Sequence, residues 1–249
     1  MTDLIDEGDG PALVFLHGAG VDNHMWAPQR THFRSTRRVI VPNLPGHGSV
    51  PAATSVEQMA ENVHARLEAL GVHRYAVVGL SMGGMVALEM AARWPGAVSH
   101  LAMIEAVPTV TGSAVARHLI NACLWPMALI PPRWMARLPA RHLGAETPEA
   151  ATYLKATLPR LDATQSHAVL CLATAYDGRR HLGELTMPCA VMVGARNTRI
   201  HGRAAAMAAA IPACRHVVLP GAGHIANLDA PEAVNAEIDR LLAIGADTA

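Results

Sequence analysis

Short apolar runs alternate with helical patterns along most of this chain, and that alternation admits few folds. The runs are Ala12–Leu16, Val39–Val41, Tyr75–Val78, Leu101–Ile104, Ala190–Val193 and Val217–Leu219. Each is too brief for a helix and apolar throughout, which is how strands buried on both faces read. Helices between them imply an α/β class: a mostly parallel sheet flanked by helices. Helix ends are also legible. Ser55, with Gln58 three residues on, makes a capping box, and Gly71 stops that helix after Leu70. Asp229 is placed to cap the last helix, with Pro231 in its first turn and Leu241–Leu242 closing its apolar stripe.

The alternation breaks once. Residues 107–185 carry no strand pattern, only helical stretches punctuated by prolines and bearing Trp125, Met127, Trp134 and Met135. The β pattern resumes at Cys189, so the expectation is a single domain over residues 1–249 with a helical lid inserted at 107–185. With 51% apolar and 16% charged residues, a disordered chain is excluded. Twenty basic residues against twenty acidic ones leave no excess for a nucleic-acid partner. Cys123, Cys171, Cys189 and Cys214 stand far apart, which suits neither a zinc site nor a disulfide framework. The acidic opening lacks the basic and apolar segments of a signal peptide. Pro126, Pro131 and Pro132 interrupt the most apolar region, so no membrane span is expected and the location expected is cytoplasmic.

Three sites along the chain carry chemistry. Gly79-Leu80-Ser81-Met82-Gly83-Gly84 lies between the run Tyr75–Val78 and a helical pattern through Met90. In that context a GxSxG sequence makes a tight turn that lifts the serine above the sheet, and the following helix aims its N–H groups at the same spot. Ser81 is therefore the candidate nucleophile. His17-Gly18-Ala19-Gly20 follows the first run, and the backbone N–H groups of Ala19 and Met82 are the candidate oxyanion hole. His17 itself reads as a packed, hydrogen-bonded ring. Gly221-Ala222-Gly223-His224 follows the last run, 143 residues after Ser81, and makes His224 the candidate base.

These motifs, with Leu44–Gly48 (LPGHG) and Pro220–His224 (PGAGH), resemble the α/β-hydrolase superfamily, in particular its small serine esterase and enol-lactonase branch. The resemblance covers all but the insertion and implies the α/β-hydrolase fold. Because only about a dozen residues precede the first core run, it also implies a reduced opening hairpin. The activity implied is cleavage of a carboxylic ester or lactone, without cofactor or metal, on a small substrate in an apolar pocket to which Trp125, Met127 and Trp134 contribute. A ligand sensor with weak turnover, or a C–C hydrolase or lyase using the same serine and histidine, stays open. So does the oligomeric state.

One position departs from the family pattern. The acid is expected three residues after the glycine ending the strand before the last βα unit, where this chain has Asn197. An amide can orient an imidazole but brings no charge to stabilise imidazolium. Glu105, at the end of the run Leu101–Ile104, is the candidate replacement, as in relatives such as haloalkane dehalogenases. Asn197 as a neutral orienter, a weakened site, or a carboxylate from the insertion such as Asp177, remains open.

Overall fold

The computed structural model describes residues 2–245, apart from the side chains of Met127 and Ala128. Seven strands form one sheet: β1 (Leu4–Glu7), β2 (Ala12–Leu16), β3 (Arg38–Pro42), β4 (Tyr75–Leu80), β5 (Val98–Ile104), β6 (Cys189–Gly194) and β7 (Arg215–Leu219). Their order is β1-β3-β2-β4-β5-β6-β7, and only β1 runs antiparallel to its neighbour. The helices are α1 (Ala27–Phe33), α2 (Val56–Ala69), α3 (Met82–Arg93), α4 (Ala114–Leu124), α5 (Pro132–Met135), α6 (Pro148–Thr157), α7 (Ala163–Ala175), α8 (His201–Ala210), α9 (Ala226–Asp229) and α10 (Pro231–Leu242).

Period-two alternation sends neighbouring residues of a strand to opposite faces. Leu13 and Phe15 join Trp26, Phe33 and Ile238 on one side of the sheet; Val14 and Leu16 join Met59, Val63 and Met90 on the other. Most of these side chains are fully enclosed, each worth about 1.5–3 kcal/mol of burial.

Two strands depart from expectation. β1 escaped the pattern because LIDE is half acidic. It pairs with β3 along all four residues, packs Leu4 and Ile5 on the core, and adds ion pairs, Glu7 with Arg30 at 2.9 Å and Asp6 with Arg38 at 2.7 Å. β7 is not buried on both faces as expected, because it is the other edge and exposes Arg215, His216 and Val218.

At the start of α2, Ser55 Oγ accepts from the Gln58 amide at 3.1 Å. The reciprocal bond closes one residue earlier than a capping box requires, with the Thr54 amide donating to Gln58 Oε1 at 2.6 Å. Asp229 does not cap the last helix. Its carboxylate accepts instead from the amides of Glu146 (2.8 Å), Thr147 (3.0 Å) and Gly223 (2.9 Å), so it faces away from α10.

Between β5 and β6 the described chain is helical, closed at its base by a bridge between Thr109 and Asp177. Its outer elements, α4 and α5, bury no residue, whereas α6 buries Ala150, Leu154 and Thr157 and α7 buries Val169, Ala173 and Thr174. Tyr153 on α6 donates its hydroxyl proton to Asp22 Oδ1 at 2.9 Å, fixing that half to the loop after β2. No described helix is long and apolar enough to cross a membrane.

Candidate active site

The turn between β4 and α3 is forced by its glycines. A Cβ on Gly79 would overlap the backbone of Gly83, and one on Gly83 would overlap the backbone of Leu16. Between them Ser81 adopts φ 54° and ψ −116°, a left-handed conformation that a serine holds only when its surroundings impose it. One imposing contact is its own amide, which donates to Ile104 O at 2.8 Å. The side chain thus stands at the C-terminal edge of the sheet, at the amino end of a 12-residue helix.

His224 follows β7 in the loop to α9. Its Nε2 lies 3.1 Å from Ser81 Oγ and its Nδ1 lies 3.2 Å from Glu105 Oε2. The Glu105 side chain is sealed from solvent, while the His224 side chain keeps 41% of its surface. A carboxylate can only accept, so Nδ1 carries the proton and Nε2 is free to accept from the serine hydroxyl.

Glu105 follows the last residue of β5 at φ 53°, a second left-handed non-glycine, and its amide still pairs with Met192 O at 2.8 Å. Its Oε1 accepts from the Gly194 amide at 2.5 Å and its Oε2 from Asn197 Nδ2 at 2.5 Å. Asn197 therefore meets the carboxylate rather than the ring. Of the alternative acids weighed from sequence, Asp177 is instead held by Arg179 at 2.5 Å at the base of the insertion.

The amides of Ala19 and Met82 find no protein acceptor among the described residues. Two buried histidines fix the loop that carries Ala19. His17 Nδ1 donates to Gly18 O at 2.8 Å, and its Nε2 accepts from the Leu44 amide at 3.0 Å. His47 Nε2 accepts from the Gly20 amide at 3.3 Å. Burial holds the His17 ring well below the ordinary imidazole range and lowers His47 as well, so both stay neutral acceptors.

A cavity of about 210 Å³ opens on Ser81 and His224. Its apolar wall includes Met135, Leu143, Leu154, Leu158 and Leu161, with His167 at one side. None of these was singled out from sequence as a contact except Met135, noted only as apolar, although Leu154, Leu158 and Leu161 repeat at helical spacing. The expected tryptophans are not among them. Trp125 is 60% exposed and Trp134 is 55% exposed. Pro132 and Met135 share the inner face of α5 at i, i+3, which leaves Trp134 on another face. Trp125 lies in the turn after α4, on the outer half of the insertion. The Met127 side chain lies outside the described residues. No cluster of three or more His, Cys, Asp or Glu side chains suited to a metal occurs among the described residues.

Known proteins agree with this architecture. The chain is 27% identical over 248 residues to "Putative carbamate hydrolase RutD" of Escherichia coli O81 (strain ED1a), covering 92% of this chain and 90% of that protein. A thermophilic esterase from Thermogutta terrifontis superposes with a TM-score of 0.83 at 26% identity, over 96% of this chain and 92% of that one. The enol-lactonase of Burkholderia xenovorans LB400, at 23% identity, TM-score 0.76 and coverage of 96% and 95%, shares the fold. The sequence profile described as "Alpha/beta hydrolase family" matches residues 13–237, so the chain belongs to the alpha/beta hydrolase family and has its fold, a mostly parallel sheet flanked by helices.

Proposed function

We propose that this protein is a serine hydrolase that cleaves a carboxylic ester or lactone with a small apolar acyl part. The observation that carries the reading is the unbroken relay Ser81–His224–Glu105, with contacts of 3.1 and 3.2 Å. His224 Nε2 takes the hydroxyl proton as Ser81 Oγ attacks the carbonyl carbon, and Glu105 stabilises the imidazolium that forms. The carbonyl oxygen, now negative, turns toward the unoccupied amides of Ala19 and Met82, aided by the positive end of α3. His224 then gives its proton to the departing oxygen, leaving an acyl group on Ser81. Water, deprotonated by the same ring, releases the acid.

The esterase and enol-lactonase among the structural neighbours, and the carbamate hydrolase among the relatives, bear names for hydrolysis at an acyl carbon. A site with only Asn197 behind its base would suit a ligand sensor with weak turnover; Glu105 supplies the charge that Asn197 lacks and favours the enzyme. The helical segment over the site, anchored at α6 and more exposed at α4 and α5, is the lid of this reading.

The test is Ser81→Ala together with labelling by a fluorophosphonate. Hydrolysis of a short p-nitrophenyl ester should fall by at least about 10³-fold in the variant, and mass spectrometry should find the label on Ser81 alone. A fully active variant, or a wild-type protein left unlabelled at Ser81, would overturn the reading.

A further inference from the structure

A second cavity, of about 660 Å³, adjoins the apolar one at His224. Met135, Leu143 and His224 line both, so the imidazole stands where the two meet. Their chemistry differs. Arg141 faces the second cavity from the insertion, and Arg196 and Arg199 face it from the loop after β6. None of the three guanidinium groups has a hydrogen-bonding or ionic partner among the described residues. Glu146 is the one carboxylate lining this cavity. Some other arginines of this chain are paired, as Arg30 is with Glu7 and Arg38 with Asp6; what sets these three apart is that they line one cavity together.

The reaction gives the second cavity a position in the substrate. The ring that protonates the departing oxygen must touch the leaving group, so the leaving group lies on the His224 side of the scissile bond. The acyl part then occupies the apolar cavity. We propose that the Arg141–Arg196–Arg199 cavity receives the leaving group, and that the natural substrate carries an anionic substituent there, a carboxylate or a phosphate. This rests on the serine-hydrolase reading and narrows its substrate class. Guanidinium groups on two walls match planar or tetrahedral oxyanions through paired N–H donors, and neither wall spends that capacity within the protein. Bound, such a substituent adds charged hydrogen bonds at a fixed distance from the scissile oxygen, which orients the ester as well as holding it.

The experiment compares three butanoate esters that share a phenolic leaving group: 4-(butanoyloxy)benzoate, its neutral carboxamide, and 4-(butanoyloxy)phenyl phosphate. Rates are divided by those of hydroxide hydrolysis to remove intrinsic reactivity. The wild-type enzyme should prefer at least one anionic ester over the carboxamide by about 10-fold or more in kcat/KM, mostly through KM. The better anion identifies which oxyanion the cavity takes. The preference should shrink as salt is raised, and Arg196→Gln combined with Arg199→Gln should bring the ratio close to one. Hydrolysis of the carboxamide with no anionic preference would overturn the subsite and leave the Ser81 reading intact. Failure to hydrolyse any of the three, with Ser81 unlabelled by fluorophosphonate, would remove both.

Discussion

Three donors share the Glu105 carboxylate: the Gly194 amide, the Asn197 side chain and the His224 ring. Glu105→Gln keeps the size but presents an NH₂ to one of those donors and removes the charge behind the base. We expect kcat to fall by about two to four orders of magnitude. Asn197→Asp should also lower activity, because it places one carboxylate against another and drives one of them to take a proton. Both are checked by kcat across about pH 5–9; an Asn197→Asp variant faster than wild type would mean that the charge belongs at 197. The sequence made both residues visible as rivals, one by its place at a strand end and one by its place in a family pattern. It did not reveal that they form one hydrogen-bonded unit, because the contact spans 92 residues and is created only when β5 and β6 pair. Ser81 and His224 were legible because local backbone geometry, glycine-rich turns at the ends of strands, dictates their positions.

Among the elements, the insertion was read correctly as helical and incorrectly in its contacts. Ring size suggested Trp125 and Trp134 as pocket walls, but size carries no direction. Direction lay in the i, i+3 pair of Pro132 and Met135; Leu154, Leu158 and Leu161 reach the same cavity across the end of α6, where the helix tightens at Leu158 and Leu161 is extended. Trp125→Ala and Trp134→Ala should therefore change unfolding free energy by no more than about 0.5 kcal/mol. Leu154→Ala should cost about 2–5 kcal/mol, and Met135→Ala should shift acyl-chain preference toward longer esters by enlarging the cavity. Urea unfolding and a C2 to C8 ester series separate the two roles. β1 was missed for a related reason: its two apolar residues, Leu4 and Ile5, are adjacent and pack on opposite faces of the sheet, too few to show a period, and the rest of its attachment is the ladder to β3 and ion pairs with Arg30 and Arg38.

For the molecule as a whole, the neutral pair His17 and His47 makes stability depend on pH. Burial lowers both rings, while the unfolded chain takes up protons at about pH 6.5. The unfolded state thus binds more protons below that pH. Stability is fully present above it and declines as pH falls through the window, by up to about 1.4 kcal/mol per pH unit for each ring. Urea titrations at several pH values should give that slope, and His17→Asn should flatten it. The insertion and the base loop are also joined mechanically. Gly144 sits at φ +85°, and a Cβ there would lie 2.6 Å from that of His224; its carbonyl accepts from the Ile225 amide at 3.2 Å. Asp229 fastens Glu146 and Thr147 to Gly223 beside it. On heating, the end of the insertion cannot detach without unseating the imidazole, so turnover and the insertion's helical signal should vanish in one transition. No temperature interval would then exist in which a bare core still works.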